Sequence, residues 1–213
     1  MIRKLLFTLF ILVYSQLSPA ATINVTNHSF ESPIQVPDGK FSFAATGWVV
    51  TGSSGSWNPT SGQMSQGPTD GNQVGFSNQI GLGLSQTLSH VLTANTQYTL
   101  MVDVLSRTDG FTHKSSTLEL RTSDDIILAS ATVGPIAGGL NFLLTASYLA
   151  IAGDVNLGKS LKIALLAGGE QSDWDNVRLN GTPPGAVPIP AAVWLFGTAL
   201  IGLIGFGKRR KAA

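Results

Sequence analysis

Tyr98-Thr99-Leu100-Met101-Val102-Asp103-Val104 decides the fold. Tyr98, Leu100, Val102 and Val104 fall on one face of an extended chain, with Thr99 and Asp103 on the other. That two-residue period belongs to a strand with one buried face. The same period returns on both sides of this stretch. Leu84 and Leu88 flank Gln86 on one face, with Ser85 and Thr87 opposite. Leu118 and Leu120 alternate with Thr117, Glu119 and Arg121, and Leu161, Ile163 and Leu165 alternate with Lys162 and Ala164. Further strands are expected over 48–51, 73–77, 126–130, 143–151 and 175–179. Turn signals separate them: Asp38-Gly39, Asp70-Gly71, Asp109-Gly110, Gly138-Gly139 and Gly168-Gly169. No stretch between residues 22 and 180 sustains a 3.6-residue period. The pattern predicts an all-β domain, a two-sheet sandwich of jelly-roll type with an apolar interior.

Charge narrows the function classes. The chain has 213 residues and a formal net charge of +1. Six of the 13 basic residues, Arg3, Lys4, Lys208, Arg209, Arg210 and Lys211, sit at the two ends. All 12 acidic residues lie between Glu31 and Asp175, so seven basic residues against twelve acids leave the body at −5. A mildly acidic, charge-poor surface does not suit nucleic acid, which needs clustered Lys and Arg. The absence of cysteine excludes disulfides, thiolate metal sites and a Cys nucleophile.

The two ends read as targeting segments. Arg3 and Lys4 precede an apolar stretch from Leu5 to Val13, and Ser18-Pro19-Ala20-Ala21 offers small residues for cleavage. This is the order of a secretory signal peptide, assigned to residues 1–21. Residues 181–190 are rich in Pro and Gly and read as a tether. Residues 191–207 carry no charge and are expected to form a single transmembrane helix, ~25 Å long at ~1.5 Å per residue. Residues 208–213 form a basic tail whose Lys208-Arg209-Arg210-Lys211 stops transfer and stays cytoplasmic.

Val187-Pro188-Ile189-Pro190-Ala191, followed by the apolar run and the basic cluster, resembles the PEP-CTERM sorting signal of Gram-negative bacteria in its Val-Pro-x-Pro-Ala form. Ile189 stands where the name-giving motif has Glu. The resemblance implies export across the inner membrane and transient anchoring there. It also implies recognition by an exosortase-type membrane transpeptidase, with delivery to the cell surface or beyond, often alongside exopolysaccharide. Within the body, Asn27-His28-Ser29-Phe30-Glu31-Ser32-Pro33 and Trp174-Asp175-Asn176-Val177-Arg178-Leu179 look like the opening and the final strand of galactose-binding-like jelly rolls, including many carbohydrate-binding modules.

That second resemblance implies a structural Ca²⁺ held by Glu31 and Asp175. Asp175 is expected on the same strand face as Val177 and Leu179, pointing inward, where a carboxylate needs a cation or hydrogen bonds. The alternative is that both carboxylates cap turns or accept backbone N–H groups. Trp57, in the loop-like run Gly52-Ser53-Ser54-Gly55-Ser56-Trp57-Asn58-Pro59, and Phe111, after Asp109-Gly110, are candidate ligand-binding aromatics. Flat exposed rings suit sugars. The alternative for Trp57 is a lid folded over the core.

Catalysis finds little support at this level. His28, His90 and His113 are scattered, and no Gly-x-Ser-x-Gly elbow occurs. Asp124-Asp125 reads as a hairpin turn, and Asp173 shares a strand face with Asp175. The expected function is therefore a non-enzymatic surface or matrix protein whose sandwich binds extracellular polysaccharide. A purely structural surface protein and a polysaccharide-degrading enzyme stand as alternatives.

Overall fold

A computed structural model describes residues 20–111 and 113–183. Twelve strands form two antiparallel sheets: β1 (Ala21–Ile23), β2 (Phe41–Ser42), β3 (Val49–Val50), β4 (Ser54–Trp57), β5 (Val74–Ser77), β6 (Gly83–Val91), β7 (Thr96–Leu105), β8 (Ser116–Thr122), β9 (Ile127–Val133), β10 (Asn141–Ala150), β11 (Ser160–Ala167) and β12 (Ser172–Thr182). One sheet runs β10-β7-β12-β5-β4-β2, with β1 added to the far half of β12. The other runs β3-β6-β11-β8-β9. The domain is the all-β two-sheet sandwich that the alternation predicts.

The inner faces are the expected ones. Tyr98, Leu100, Val102 and Val104 of β7 are fully buried, as are Leu118 and Leu120 of β8 and Leu161, Ile163 and Leu165 of β11. Each such aliphatic side chain contributes about 1.5–3 kcal/mol relative to exposure. Gln86 lies among them without penalty. Its amide accepts from Thr26 N–H and donates to Thr26 C=O, both at 2.8 Å, so it takes the place of a missing strand neighbour.

Three features differ from expectation. β12 runs through Thr182, two residues into the segment read as tether. β4 occupies half of the run read as a loop around Trp57, including Trp57 itself. The register of β12 against β7 shifts between Asp175 and Arg178, where Asn176 has φ 52°. Because of that shift Trp174 and Val177 both enter the core. Asp175 therefore points to the outer face with Asp173, not inward with Val177 and Leu179.

Ala21 pairs with Gly181, so the first and last strands of the domain lie side by side. The tail residues Val187 to Ala191, the helix expected over 191–207, the basic cluster Lys208 to Lys211, and the signal peptide up to residue 19 lie outside the described residues. Among the described residues no helix is long and apolar enough to cross a membrane.

Candidate active-site cleft

The outer face of the seven-stranded sheet carries a second, smaller apolar cluster. Alternation along β4 and β5 places Trp57, Val74 and Phe76 on this face. They pack with Met64 and with Leu105 at the end of β7. A cleft of about 340 Å³ opens beside the cluster, within the range of small-molecule sites. Phe41, Phe43, Trp57, Phe76 and Phe111 supply aromatic wall, and Gln63, Asn78, Arg107 and Gln171 supply polar groups. Phe41 and Phe43 meet edge to face at 5.3 Å, and Phe76 lies 6.0 and 6.2 Å from them.

The two aromatics singled out from sequence meet here, in a different way from that expected. Trp57 sits on a strand and is 4% exposed, so it is neither an open platform nor a lid over the main core. Phe111 is exposed on the loop after β7. Arg107 joins them, its guanidinium carbon 4.4 Å from the Trp57 ring centre and 4.8 Å from that of Phe111. Cation–π contacts of this kind hold the guanidinium plane.

Behind the aromatic wall runs a polar chain. Arg107 Nε donates to Asp109 at 2.9 Å, and Nη2 donates to the same carboxylate. The Arg107 hydrogen bond holds the Asp109 carboxyl below the usual range. Arg107 Nη1 donates to Gln171 Oε1 at 3.1 Å, and Gln171 Nε2 donates to Asp173 Oδ1 at 2.7 Å. Gln171 holds φ 59°, a left-handed conformation uncommon for a side-chain-bearing residue. Asp173 is 1% exposed, and its Oδ2 has no hydrogen-bond partner among the described residues. Burial pushes its carboxyl up to about 7, against the pull of Gln171 and Arg107. A proton on Oδ2 removes the cost of an unpaired buried charge.

Asp175 and Glu31 make their hydrogen bonds outside this chain. Asp175 Oδ2 accepts the N–H groups of Thr69 and Asp70, each at 2.7 Å, and the Thr69 hydroxyl at 3.1 Å; Oδ1 accepts the Asn176 N–H at 2.7 Å. Burial raises its pKa to about 7, with these donors pulling the other way. Glu31 Oε1 accepts the N–H groups of Asn72 and Gln73, each at 2.7 Å. Asp175 thus ties the 69–73 turn to β12, and Glu31 ties it to the segment between β1 and β2. No group of three or more His, Asp or Glu side chains suited to a metal occurs among the described residues. Oε1 of Glu31 and both carboxyl oxygens of Asp175 accept backbone N–H groups.

The histidines stay scattered. His28 Nε2 lies 3.0 Å from Asp70, in the open. His90 lies 3.3 Å from the Tyr98 hydroxyl. His113 is buried, 2.9 Å from the Ser116 hydroxyl, and burial lowers its pKa to about 4.

Comparison with known proteins gives this cleft a context. A model of the HpiC1-like family, described as HpiC1 cyclase, matches residues 21–180. No curated protein sequence matches the chain. Among solved structures, an apo cyclase from Fischerella sp. is 26% identical with a TM-score of 0.71, over 77% of this chain and 97% of its own. A cyclase from Fischerella sp. TAU in complex with 4-(1H-indol-3-yl)butan-2-one is 26% identical with a TM-score of 0.67, over 77% of this chain and 98% of its own. A Stig cyclase from Fischerella sp. TAU in complex with (3Z)-3-(1-methyl-2-pyrrolidinylidene)-3H-indole is 24% identical with a TM-score of 0.69, over 78% and 99% of the two chains, and shares the fold.

These matches overturn the reading of the domain as a non-enzymatic, carbohydrate-binding or purely structural module. The error had a physical source. A search for paired carboxylates or a His beside a nucleophile passes over a lone acid whose proton is held by burial, and sandwich architecture is shared by binding modules and enzymes alike. With three quarters of its length matched, the chain belongs to the HpiC1-like cyclase family.

Proposed function

We propose that the cleft takes up a flat, apolar substrate bearing an indole or similar ring and closes a further ring on it, with Asp173 as the proton donor. The observation that carries this reading is the state of Asp173: a buried carboxyl raised to about 7, with a free Oδ2, one hydrogen bond behind a cleft residue. Phe41, Phe43 and Phe76 provide faces for a planar ring. The indole-bearing ketone held by a relative 26% identical supports the choice of ring.

The substrate displaces the Gln171 side chain and meets the Asp173 carboxyl. Proton transfer to an unsaturated carbon or ring atom of the substrate leaves a cation on the substrate and a carboxylate on Asp173. An internal π bond attacks the cation and forms the new ring bond. Loss of a proton back to Asp173 restores the enzyme, so the product is an isomer of the substrate. The aromatic wall excludes water that would trap the cation.

The test is turnover of a panel of indoles carrying alkenyl chains, followed by chromatography with mass detection for products of unchanged mass. Asp173→Asn keeps the shape and removes the proton, and general acid loss of this kind costs about 10²–10⁴ in rate. Wild-type activity is expected to fall as pH rises through about 7. An Asp173→Asn protein with full activity would remove Asp173 from the mechanism.

We further infer that the domain works outside the cytosol, exported by residues 1–21, anchored by residues 191–207 and processed near Pro190 by an exosortase-type transpeptidase. The charge and apolar patterns at the two ends support this, and sequencing the mature C-terminus tests it.

A further inference from the structure

Among the described residues that line the cleft, Arg107 alone carries a charge. A guanidinium has five N–H donors. Asp109 takes those of Nε and one on Nη2, and Gln171 takes one on Nη1. One N–H remains on each Nη atom, on a side chain only 12% exposed and held flat against Trp57 and Phe111. A pre-set donor pair of this kind matches an oxygen acceptor, and little rotamer freedom is lost when it binds one.

Charge decides which oxygen. Asp109 stays ionised beside Arg107, so the pair is neutral as a whole. Unit charges 4 Å apart interact by about 4 kcal/mol at an effective dielectric of 20. A ligand carboxylate therefore loses to Asp109 part of what it gains from Arg107, and it still bears the desolvation of a buried ion. A neutral carbonyl keeps the charge-assisted hydrogen bond without that cost. Taking the cleft as the ring-binding site proposed above, we infer that Arg107 makes it selective for an uncharged aromatic ligand carrying a carbonyl oxygen, over the matching carboxylate and the matching hydrocarbon.

Three probes of similar size test this by calorimetry on the full chain: 4-(1H-indol-3-yl)butan-2-one, 3-(1H-indol-3-yl)propanoate and 3-butylindole. The ketone is expected to bind about tenfold tighter than either of the others, and Arg107→Met is expected to bring the ketone and 3-butylindole within about threefold. Arg107→Lys, which keeps the charge and loses the fork, should fall between. Propanoate binding most tightly, ketone and hydrocarbon binding equally, or Arg107→Met keeping the tenfold gap would each overturn the inference. Should the variants fail to fold, the wild-type ranking decides alone. Equal binding of all three sinks the selectivity and leaves the cleft as a ring site, whereas no binding of any probe sinks both.

Discussion

The Gln171 amide stands 2.7 Å from the Asp173 carboxyl on one side and 3.1 Å from the Arg107 guanidinium on the other. One neutral side chain thus separates a buried acid from the cation of the cleft. The pKa of Asp173 rises despite Arg107 because the loss of water outweighs a charge felt through that spacer.

This burial has a signature in stability. Asp173 and Asp175 move from 3.8 to about 7 on folding, so the folded state holds protons that the unfolded chain has released. The stabilisation is complete below about pH 4 and is lost as pH rises from there to about 7, with a slope of at most ~1.4 kcal/mol per pH unit for each group. The melting temperature is expected to fall between pH 5 and pH 8, and Asp173→Asn is expected to flatten that fall. Thermal scans across the range provide the measurement. A wild-type curve that climbs over this interval would contradict the protonation state assigned to Asp173.

Gly71 guards the Glu31 contact. Its φ is +77°, and a Cβ placed there would lie 2.4 Å from Glu31 Oε1. Gly71→Ala is expected to destabilise by about 1–3 kcal/mol through backbone strain and loss of an acceptor for two N–H groups. Chelator distinguishes the two roles weighed for Glu31 and Asp175. With amide donors sufficient, chelator leaves the wild-type melting temperature unchanged. A drop that Asp175→Ala abolishes would assign the pair to calcium.

Phe111 is the simplest handle on the cleft. It is 56% exposed, so Phe111→Ala should alter stability by no more than about 0.5 kcal/mol. It should weaken binding of 4-(1H-indol-3-yl)butan-2-one by roughly two- to tenfold, through the lost ring contact and a freer Arg107. Unchanged affinity in titration calorimetry would place the ligand elsewhere.

Leu100→Ala tests the main core independently. Leu100 is fully buried at the centre of β7, and the substitution is expected to cost about 2–5 kcal/mol in denaturant unfolding. A cost under 1 kcal/mol would mean that the core closes over the gap far better than the packing allows.

Sequence made the long strands and the short β3 and β5 legible, and hid β1, β2 and β4. The period-two runs of β6, β7, β8 and β11 each bury one face, which is what period two reports. β4 was invisible because Ser54-Gly55-Ser56 carries no apolar pattern. Its reasons are local: the Ser54 hydroxyl donates to Ser77 at 2.9 Å in the interior, and a Cβ on Gly55 would lie 1.9 Å from the Ser42 carbonyl. The face of Asp175 was misread because a bulge at Asn176 shifts the phase of β12, and alternation carries no record of a bulge.

The cleft was legible only in fragments. Trp57 and Phe111 stood out as aromatics near Gly and Ser, but the link that joins Arg107 to Gln171 and Asp173 spans 64 residues of chain. Asp173 has Gln171 two residues away, a spacing that by itself signals no chemistry. Its signal is burial, which only the fold supplies.

Because Ala21 and Gly181 are cross-strand neighbours, the domain has its entrance and its exit at one spot. A few residues of linker would join them into a closed loop, and new ends opened at the exposed Asp124-Asp125 turn would leave every strand pairing in place. The same neighbourliness suits the domain to grafting as a cassette into a surface loop of a carrier protein, with the chain leaving where it came in.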